Sequence, residues 1–194
     1  QFEFIAVTIG YGMGENFDNL AAHCKEYDIP HIFHDTKTYE LAKEKIRKNS
    51  SFCSFFSRMR RGYLYSVAQE QGCNKVALGH HMDDAAESFF MNFIYNGQMR
   101  SLAPKYKAEN GLIVIRPLIQ MRERQLQAFV IDNAIEAIGD EACPAMRFDV
   151  KMPHARANTK EMLSKMEQDF PQLFTSLNAA FKNISVDSFF MTED

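Results

Sequence analysis

An α/β fold, with a mainly parallel sheet and helices on both faces, is predicted by three features of this sequence. Short apolar runs alternate with amphipathic stretches, the first apolar run passes through a glycine turn straight into a helical stripe, and 46% hydrophobic residues over a length of 194 are enough to bury one substantial core. Phe2-Glu3-Phe4-Ile5-Ala6-Val7-Thr8-Ile9 reads as the first strand. Gly10-Tyr11-Gly12-Met13-Gly14 turns the chain, and residues 15–27 carry Phe17, Leu20, Ala21 and Cys24 as one apolar stripe of a helix. The next strand is Pro30-His31-Ile32-Phe33-His34-Asp35, and residues 39–48 form a helix rich in Lys and Glu. A longer helix is expected over residues 54–71. Lys75-Val76-Ala77-Leu78 is a short buried strand, followed by a helix that starts near Asp84 and keeps helical apolar spacing as far as Tyr95. Asn96-Gly97 marks a turn, and the stretch to Lys107 reads as a surface loop. Leu112-Ile113-Val114-Ile115 is a further strand that stops at Arg116-Pro117, because proline cannot donate to a sheet ladder. A helix follows over residues 122–134. From Ile138 the sequence turns loop-like, then polar and basic, and Pro171 splits the remainder into helical segments over residues 159–169 and 172–183. The expected organisation is one α/β domain over residues 1–150 and a helical tail over residues 151–194, with no internal repeat.

The net charge of -3 gives no global reason for a nucleic-acid partner, so any RNA contact must come from a local basic face. No apolar run approaches the length of a membrane span and the first residues are not a signal peptide, so a soluble cytoplasmic protein without membrane contact is expected. Cys24, Cys53, Cys73 and Cys143 are scattered without a disulfide-scaffold pattern, in keeping with a reducing compartment. The chain opens at Gln1 with a strand already in full stride, which reads as a piece whose N-terminus lies elsewhere.

The densest chemistry lies in Leu78-Gly79-His80-His81-Met82-Asp83-Asp84-Ala85-Ala86-Glu87, at the junction of an apolar strand and an amphipathic helix. Gly79 lets the chain turn, Asp83 or Asp84 suits the N-cap, and Glu87 follows Asp84 at capping-box spacing. Two histidines and three carboxylates exceed what capping requires, and the carboxyl ends of strands are where open α/β sheets bind ligands. A well-capped ordinary helix is the plainer alternative. The glycine turn at residues 10–14 is a weak dinucleotide fingerprint that still permits close approach of an adenine or ribose; it also reads as a flexible turn. Arg58, Arg60 and Arg61, with Arg47 and Lys48 upstream and Tyr63 and Tyr65 nearby, form the main basic cluster. It suits an RNA backbone or a triphosphate, or is simply a solvated helix face. Arginines near Cys53 favour its thiolate, and Cys143 in a proline-flanked loop is the other candidate reactive cysteine; Cys24 and Cys73 read as core, and His31 and His34 as sheet residues.

Taken together, Cys53-Ser54-Phe55-Phe56-Ser57-Arg58-Met59-Arg60-Arg61-Gly62, the Leu78 to Glu87 tract, and Val114-Ile115-Arg116-Pro117-Leu118 with Arg122-Glu123 resemble the PP-loop ATP pyrophosphatase superfamily. The branch they are most similar to is the tRNA 2-thiocytidine (cytidine 32) synthetases. The resemblance extends to about Arg156, and the motifs keep the family order. It implies an adenine nucleotide alpha hydrolase-like, Rossmann-like fold and an enzyme that adenylates a tRNA base with Mg-ATP, after which a sulfur nucleophile displaces AMP. It implies Thr8, Ile9, Tyr11, Gly79, His80, Asp83, Asp84 and Arg61 at the nucleotide, Asp84 as a Mg2+ ligand or orienting group, Arg60 or Arg61 as phosphate clamps, and Arg58 and Arg61 toward RNA. tRNA, ATP, a sulfur-donor protein and a second copy of the chain are the implied partners.

Two departures qualify the match. The superfamily's Ser-Gly-Gly-x-Asp-Ser phosphate loop has no copy in this chain, which points to N-terminal truncation and to an inactive fragment as written. The family's Cys-x-x-Cys, which holds a 4Fe-4S cluster with a distant third cysteine, is here Cys53-x-x-Phe56, leaving Cys53 and Cys143 as the only cysteine ligands and sulfur chemistry of the active site in question. An amine-using ligase without a cluster, and a degenerate nucleotide- or RNA-binding protein, are the competing functional readings.

Overall fold

In the computed structural model the described residues are 2–45, 52–137 and 155–190. The chain has α/β architecture. In order the elements are β1 (Ala6–Ile9), α1 (Asp18–Glu26), β2 (His31–His34), α2 (Thr38–Lys45), α3 (Phe52–Glu70), β3 (Lys75–Ala77), α4 (Met82–Asn96), β4 (Lys105–Lys107), β5 (Ile113–Ile115), α5 (Glu123–Asp132), α6 (Ala155–Asp169) and α7 (Leu173–Ala180), with a short 3-10 turn at Val186–Ser188. Every helix expected from apolar spacing is present. The differences lie at the edges: the first strand is four residues long rather than eight, and the stretch expected to be loop before Lys107 contains β4. Three residues, Lys-Tyr-Lys, are too few to show an alternation.

The chain divides into two compact units, one formed by Gln1–Val76, Lys107–Val114 and Val130–Pro153, the other by Ala77–Tyr106, Ile115–Phe129 and His154–Asp194. β3, β4 and β5 form a three-stranded sheet in the order β3-β5-β4.

In the first unit β1 and β2 pair in parallel, Ala6 opposite His31 through Ile9 opposite His34. Parallel neighbours require a crossover, and α1 supplies it. Ile9 and Cys24 are buried there, as are Phe56, Val67 and Ala68 of α3.

In the second unit the core is helical. Met82 and Ala86 of α4 meet Leu163 of α6 and Phe174 of α7, with Phe90, Leu173, Leu177 and Phe181 packed around them. Met82 and Ala86 are spaced i, i+4 and so share one helix face, which is the face the later helices cover. The residues following His154 thus bury the site-bearing helix α4. Among the described residues no helix is long and apolar enough to cross a membrane.

Candidate functional site

The glycine turn of the first unit is pinned rather than loose. The backbone N–H groups of Tyr11 and Met13 donate to the two carboxylate oxygens of Glu15, at 2.7 and 2.8 Å. The Thr36 hydroxyl donates to the Gly10 carbonyl at 2.7 Å and shares a 2.6 Å bond with the Thr38 hydroxyl, while the Tyr39 N–H reaches the Tyr11 carbonyl at 2.9 Å. Thr36 and Thr38 are buried, so the turn is held from behind by satisfied polar groups. Gly12 has φ +78°. Of the expected nucleotide contacts in this unit, Ile9 is buried, Thr8 shares a 2.9 Å hydrogen bond with His31, and the Tyr11 ring packs edge-on against Phe56 with centroids 5.5 Å apart. His31 and His34 sit in β2, the latter against the Tyr63 ring, as expected of sheet residues.

In the second unit β3 ends at Ala77 and α4 begins at Met82, which places Gly79, His80 and His81 in the connecting turn. The helix is capped differently from the sequence expectation. His81, not an aspartate, is the N-cap: its Nδ1 accepts the Asp84 N–H at 3.4 Å, and Asp84 returns a carboxylate oxygen to the His81 N–H at 3.1 Å. A capping box needs a short-range acceptor and a reciprocal carboxylate three residues on, and His81 with Asp84 meets both requirements. Glu87, the expected box partner, is instead buried on α4 and accepts from Arg156 Nε at 2.7 Å. The same guanidinium donates to Asp84 Oδ1. Both oxygens of Asp84 are therefore engaged.

Asp83 faces a different partner. Arg122 Nε and Nη2 donate to its carboxylate at 3.1 to 3.2 Å, and the Glu123 N–H adds a 2.7 Å bond. The same guanidinium donates to both oxygens of Glu167 on α6, at 2.6 and 2.9 Å, and lies over the Phe174 ring with 3.3 Å to the centroid. Burial alone would raise the Asp83 pKa, but the bonds from Arg122 and the Glu123 N–H outweigh it and hold the carboxyl below its ordinary value. The bonds from Arg122 lower Glu167 likewise, against its partial burial. Burial opposes the charge on Arg122, and its two carboxylates overcome that opposition, so its pKa rises. Lys160 is raised by its bond to Glu123, made at 2.8 Å.

Gly79 does not adopt the left-handed backbone, and a Cβ placed on it would meet nothing within 4 Å. Its neighbour His80 accepts at Nδ1 a hydrogen bond from Arg116 Nε, 3.3 Å away. Arg116 is buried directly after β5, where its second guanidinium arm donates to the Ala103 carbonyl.

Thr8, Ile9 and Tyr11 thus lie in the first unit, and Gly79, His80, Asp83 and Asp84 are gathered in the second. Arg58, Arg60 and Arg61 are exposed on α3. Cys53 lies in the first turn of that helix, and Cys143 falls outside the described residues. Arg116, Arg122, Arg156, Lys160 and Glu167 were not singled out as site residues. Arg116 carries a signal, a charged residue at the end of an apolar strand, whereas Arg156 falls in the polar, basic stretch before the helix predicted over residues 159–169 and Lys160 and Glu167 read as ordinary polar positions of that helix.

Residues 1–152 match the PP-loop domain family. The chain is similar to the tRNA-cytidine(32) 2-sulfurtransferase of Syntrophotalea carbinolica, with 39% identity over 95% of this chain and 70% of that protein. It is similar to the protein of the same name from Geobacter metallireducens, with 37% identity over 95% of this chain and 71% of that one. Its fold is also that of a U34-tRNA thiolase (NcsA) of Methanococcus maripaludis solved with its [4Fe-4S] cluster: TM-score 0.73, 21% identity, 98% of this chain and 66% of that one.

A cluster on three cysteine thiolates does not fit the described residues. The second position of the expected ligand pair is Phe56, which has no ligating atom, is 4% exposed and is packed between the Tyr11 and Phe55 rings. The apolar contacts that hold this ring are those of a core residue. With its motifs in family order and a match that spans most of its length, the chain belongs to the PP-loop family, among the tRNA-cytidine(32) 2-sulfurtransferases.

Proposed function

We propose that this protein is an ATP-dependent tRNA-modifying enzyme that adenylates a base and prepares it for thiolation. The carrying observation is the 39% identity to a tRNA-cytidine(32) 2-sulfurtransferase over 95% of the chain. In this reading a base carbonyl oxygen attacks the α-phosphate of ATP, pyrophosphate leaves, and a nucleophile then displaces AMP from the activated carbon.

The chain's own residues support the first half. The α4 N-terminus brings the partial positive charge of the helix dipole to the turn that contains Gly79 and His80, a setting suited to anionic phosphate. Gly79 is exposed and a Cβ placed on it would meet nothing within 4 Å, so the turn is open on that side. Gly79 and His80 are assigned to the nucleotide, as are Thr8, Ile9 and Tyr11. Mg2+ enters with ATP as part of the substrate. Asp84, which accepts from the His81 N–H and from Arg156, is assigned as a Mg2+ ligand or as the group that orients the turn, and Asp83 serves as the anchor of Arg122. Arg60 and Arg61 are assigned to phosphate, Arg58 and Arg61 to the RNA backbone, with tRNA as the macromolecular substrate. Cys53 and Cys143 are the candidate sulfur carriers, a separate protein supplies the sulfur, and the enzyme works as a cytoplasmic homodimer.

Phe56 favours a second reading, in which the adenylated base is attacked by an amine and no cluster takes part. One assay separates the two. The intact protein, ATP and tRNA are expected to release pyrophosphate only when all three are present, and mass analysis of the nucleosides should show an added sulfur; an added nitrogen would establish the second reading. Asp84→Asn keeps a capping oxygen but loses the charge that holds Arg156, and should slow tRNA-dependent pyrophosphate release roughly 10²-fold while the circular dichroism spectrum is unchanged. Release that does not depend on tRNA would sink the proposal, and unaltered turnover would remove Asp84 from the mechanism.

A further inference from the structure

We infer that Glu87 is a positioning residue for Asp84 and acts through Arg156: the buried carboxylate anchors the guanidinium, and the other arm of the guanidinium fixes the Asp84 carboxylate at the head of α4. This rests on the reading that Asp84 takes part in base adenylation, and it gives a role to the last member of the Leu78 to Glu87 tract.

Asp84 and Glu87 are spaced i, i+3 on α4 and so share a helix face, where two like charges repel. Arg156 bridges them. Its Nε donates to Glu87 Oε2 at 2.7 Å and its Nη2 donates to Asp84 Oδ1. All three residues belong to one compact unit. The two carboxylates differ in what holds them. Asp84 also accepts from the His81 N–H in the capping box, at 3.1 Å. Glu87 is 5% exposed, and Arg156 is the one cation hydrogen-bonded to it among the described residues. A buried carboxylate is costly without such a partner, so Glu87 demands one.

That demand fixes the direction of control. Arg156 is exposed, and an exposed arginine bonded to Asp84 alone would gain little for the side-chain entropy it gives up. Nor does its own helix favour it there. Arg156 stands in the first turn of α6, at the positive end of the helix dipole, where a cation is disfavoured. Glu87 is what keeps it in place. The planar guanidinium then converts that anchor into a direction for its second arm, since its donors are fixed relative to one another. Asp84 is thereby gripped from two sides, by the cap on one oxygen and by Arg156 on the other. A charge oriented before the reaction needs no reorganisation during it.

Two measurements on the intact protein test this. The first is solvent exchange of the Arg156 Nε–H in 1H–15N spectra of the labelled protein, with the side chain assigned through its own backbone. Exchange should be slow in the native protein and in Asp84→Asn, and rapid in Glu87→Gln, which keeps the volume of the buried side chain. Release by Asp84→Asn, or protection that survives Glu87→Gln, overturns the direction of control. The second is tRNA-dependent pyrophosphate release. Glu87→Gln should lower kcat roughly tenfold with little change in KM for ATP, as loss of an outer orienting partner does. Combined with Asp84→Asn it should cause no further loss, because Glu87 acts only through Asp84. Losses that multiply would show Glu87 to be structural and overturn the proposal while Asp84 stays in the mechanism. Arg156→Lys keeps the charge but not the fork, and should be slowed like Glu87→Gln; native turnover in it also overturns positioning. Being on the surface, it carries the same kinetic test, alone and with Asp84→Asn, where Glu87→Gln fails to fold. Native turnover in Asp84→Asn is the separate outcome that fails the reading of Asp84 itself, and the proposal with it.

Discussion

Gly12 shows how much one hydrogen atom decides. A Cβ there would lie 2.4 Å from the Thr36 carbonyl oxygen, and the backbone already holds φ at +78°, where side chains are strained. The neighbouring atom is backbone, fixed behind the turn by the Thr36 and Thr38 hydroxyls, so it has little freedom to move away. Gly12→Ala should therefore destabilise the protein by about 2 kcal/mol or more, with a lower urea midpoint at an unchanged m-value. An alanine variant as stable as the parent would show that the turn is as loose as its glycine content suggests. His81 illustrates a different point at the same level: any side chain with an acceptor in reach of the N3 amide will cap a helix, and the histidine gained the place through backbone position rather than cap propensity.

The helices α4, α5 and α6 are joined by one guanidinium. Arg122 stands just before α5, Asp83 is in the first turn of α4 and Glu167 in the last turn of α6, so a single cation bridges two carboxylates from two other helices. All three side chains are less than a quarter exposed, so removing Arg122 leaves two poorly solvated charges facing each other. Arg122→Met should cost about 3–5 kcal/mol at neutral pH. The pH dependence follows from the direction of the shifts. Asp83 and Glu167 have folded pKa values below their ordinary ones, so their contribution is complete above the unfolded values near 4 and is lost as pH falls through the lower folded values. The difference in stability between the native protein and Arg122→Met should accordingly be constant from pH 7 to about 5 and shrink as pH falls toward 3. Thermal denaturation across that range checks this, and a difference independent of pH would mean that Arg122 acts through its contact with Phe174 and not through charge.

Over the whole chain the net charge is -3, yet α3 exposes Arg58, Arg60 and Arg61 within one turn of each other. A protein without bulk positive charge attracts RNA only through such a local face, and each phosphate it neutralises contributes to the salt dependence of binding. Replacing Arg58 and Arg61 together by alanine should reduce the slope of log affinity for RNA against log salt by roughly 0.7 for each phosphate no longer neutralised. An unchanged slope would show these arginines to be a solvated helix face. A change confined to ATP binding would assign them to the triphosphate instead.

Element order and fold class were legible because they depend on local periodicity. Apolar residues at helical spacing mark α1, α3, α4, α5 and α6, the proline after Arg116 ends β5, and two strands joined by a helix imply the parallel pairing of Ala6–Ile9 with His31–His34. The tract from Leu78 to Glu87 stood out for the same reason, since its histidines and carboxylates are neighbours in the chain. Other features had no local signal. β4 is too short to show alternation, and the partners in the Arg122 clamp are 39 and 45 residues apart along the chain. No spacing rule links Arg156 to Glu87 or Arg116 to His80, because those pairs exist only once the helices and strand ends have been packed. Local sequence can state which backbone conformation a segment prefers and which charges it carries. Which charges meet, and hence which aspartate anchors a fold and which faces a ligand, depends on contacts between distant segments, and only tertiary packing creates those.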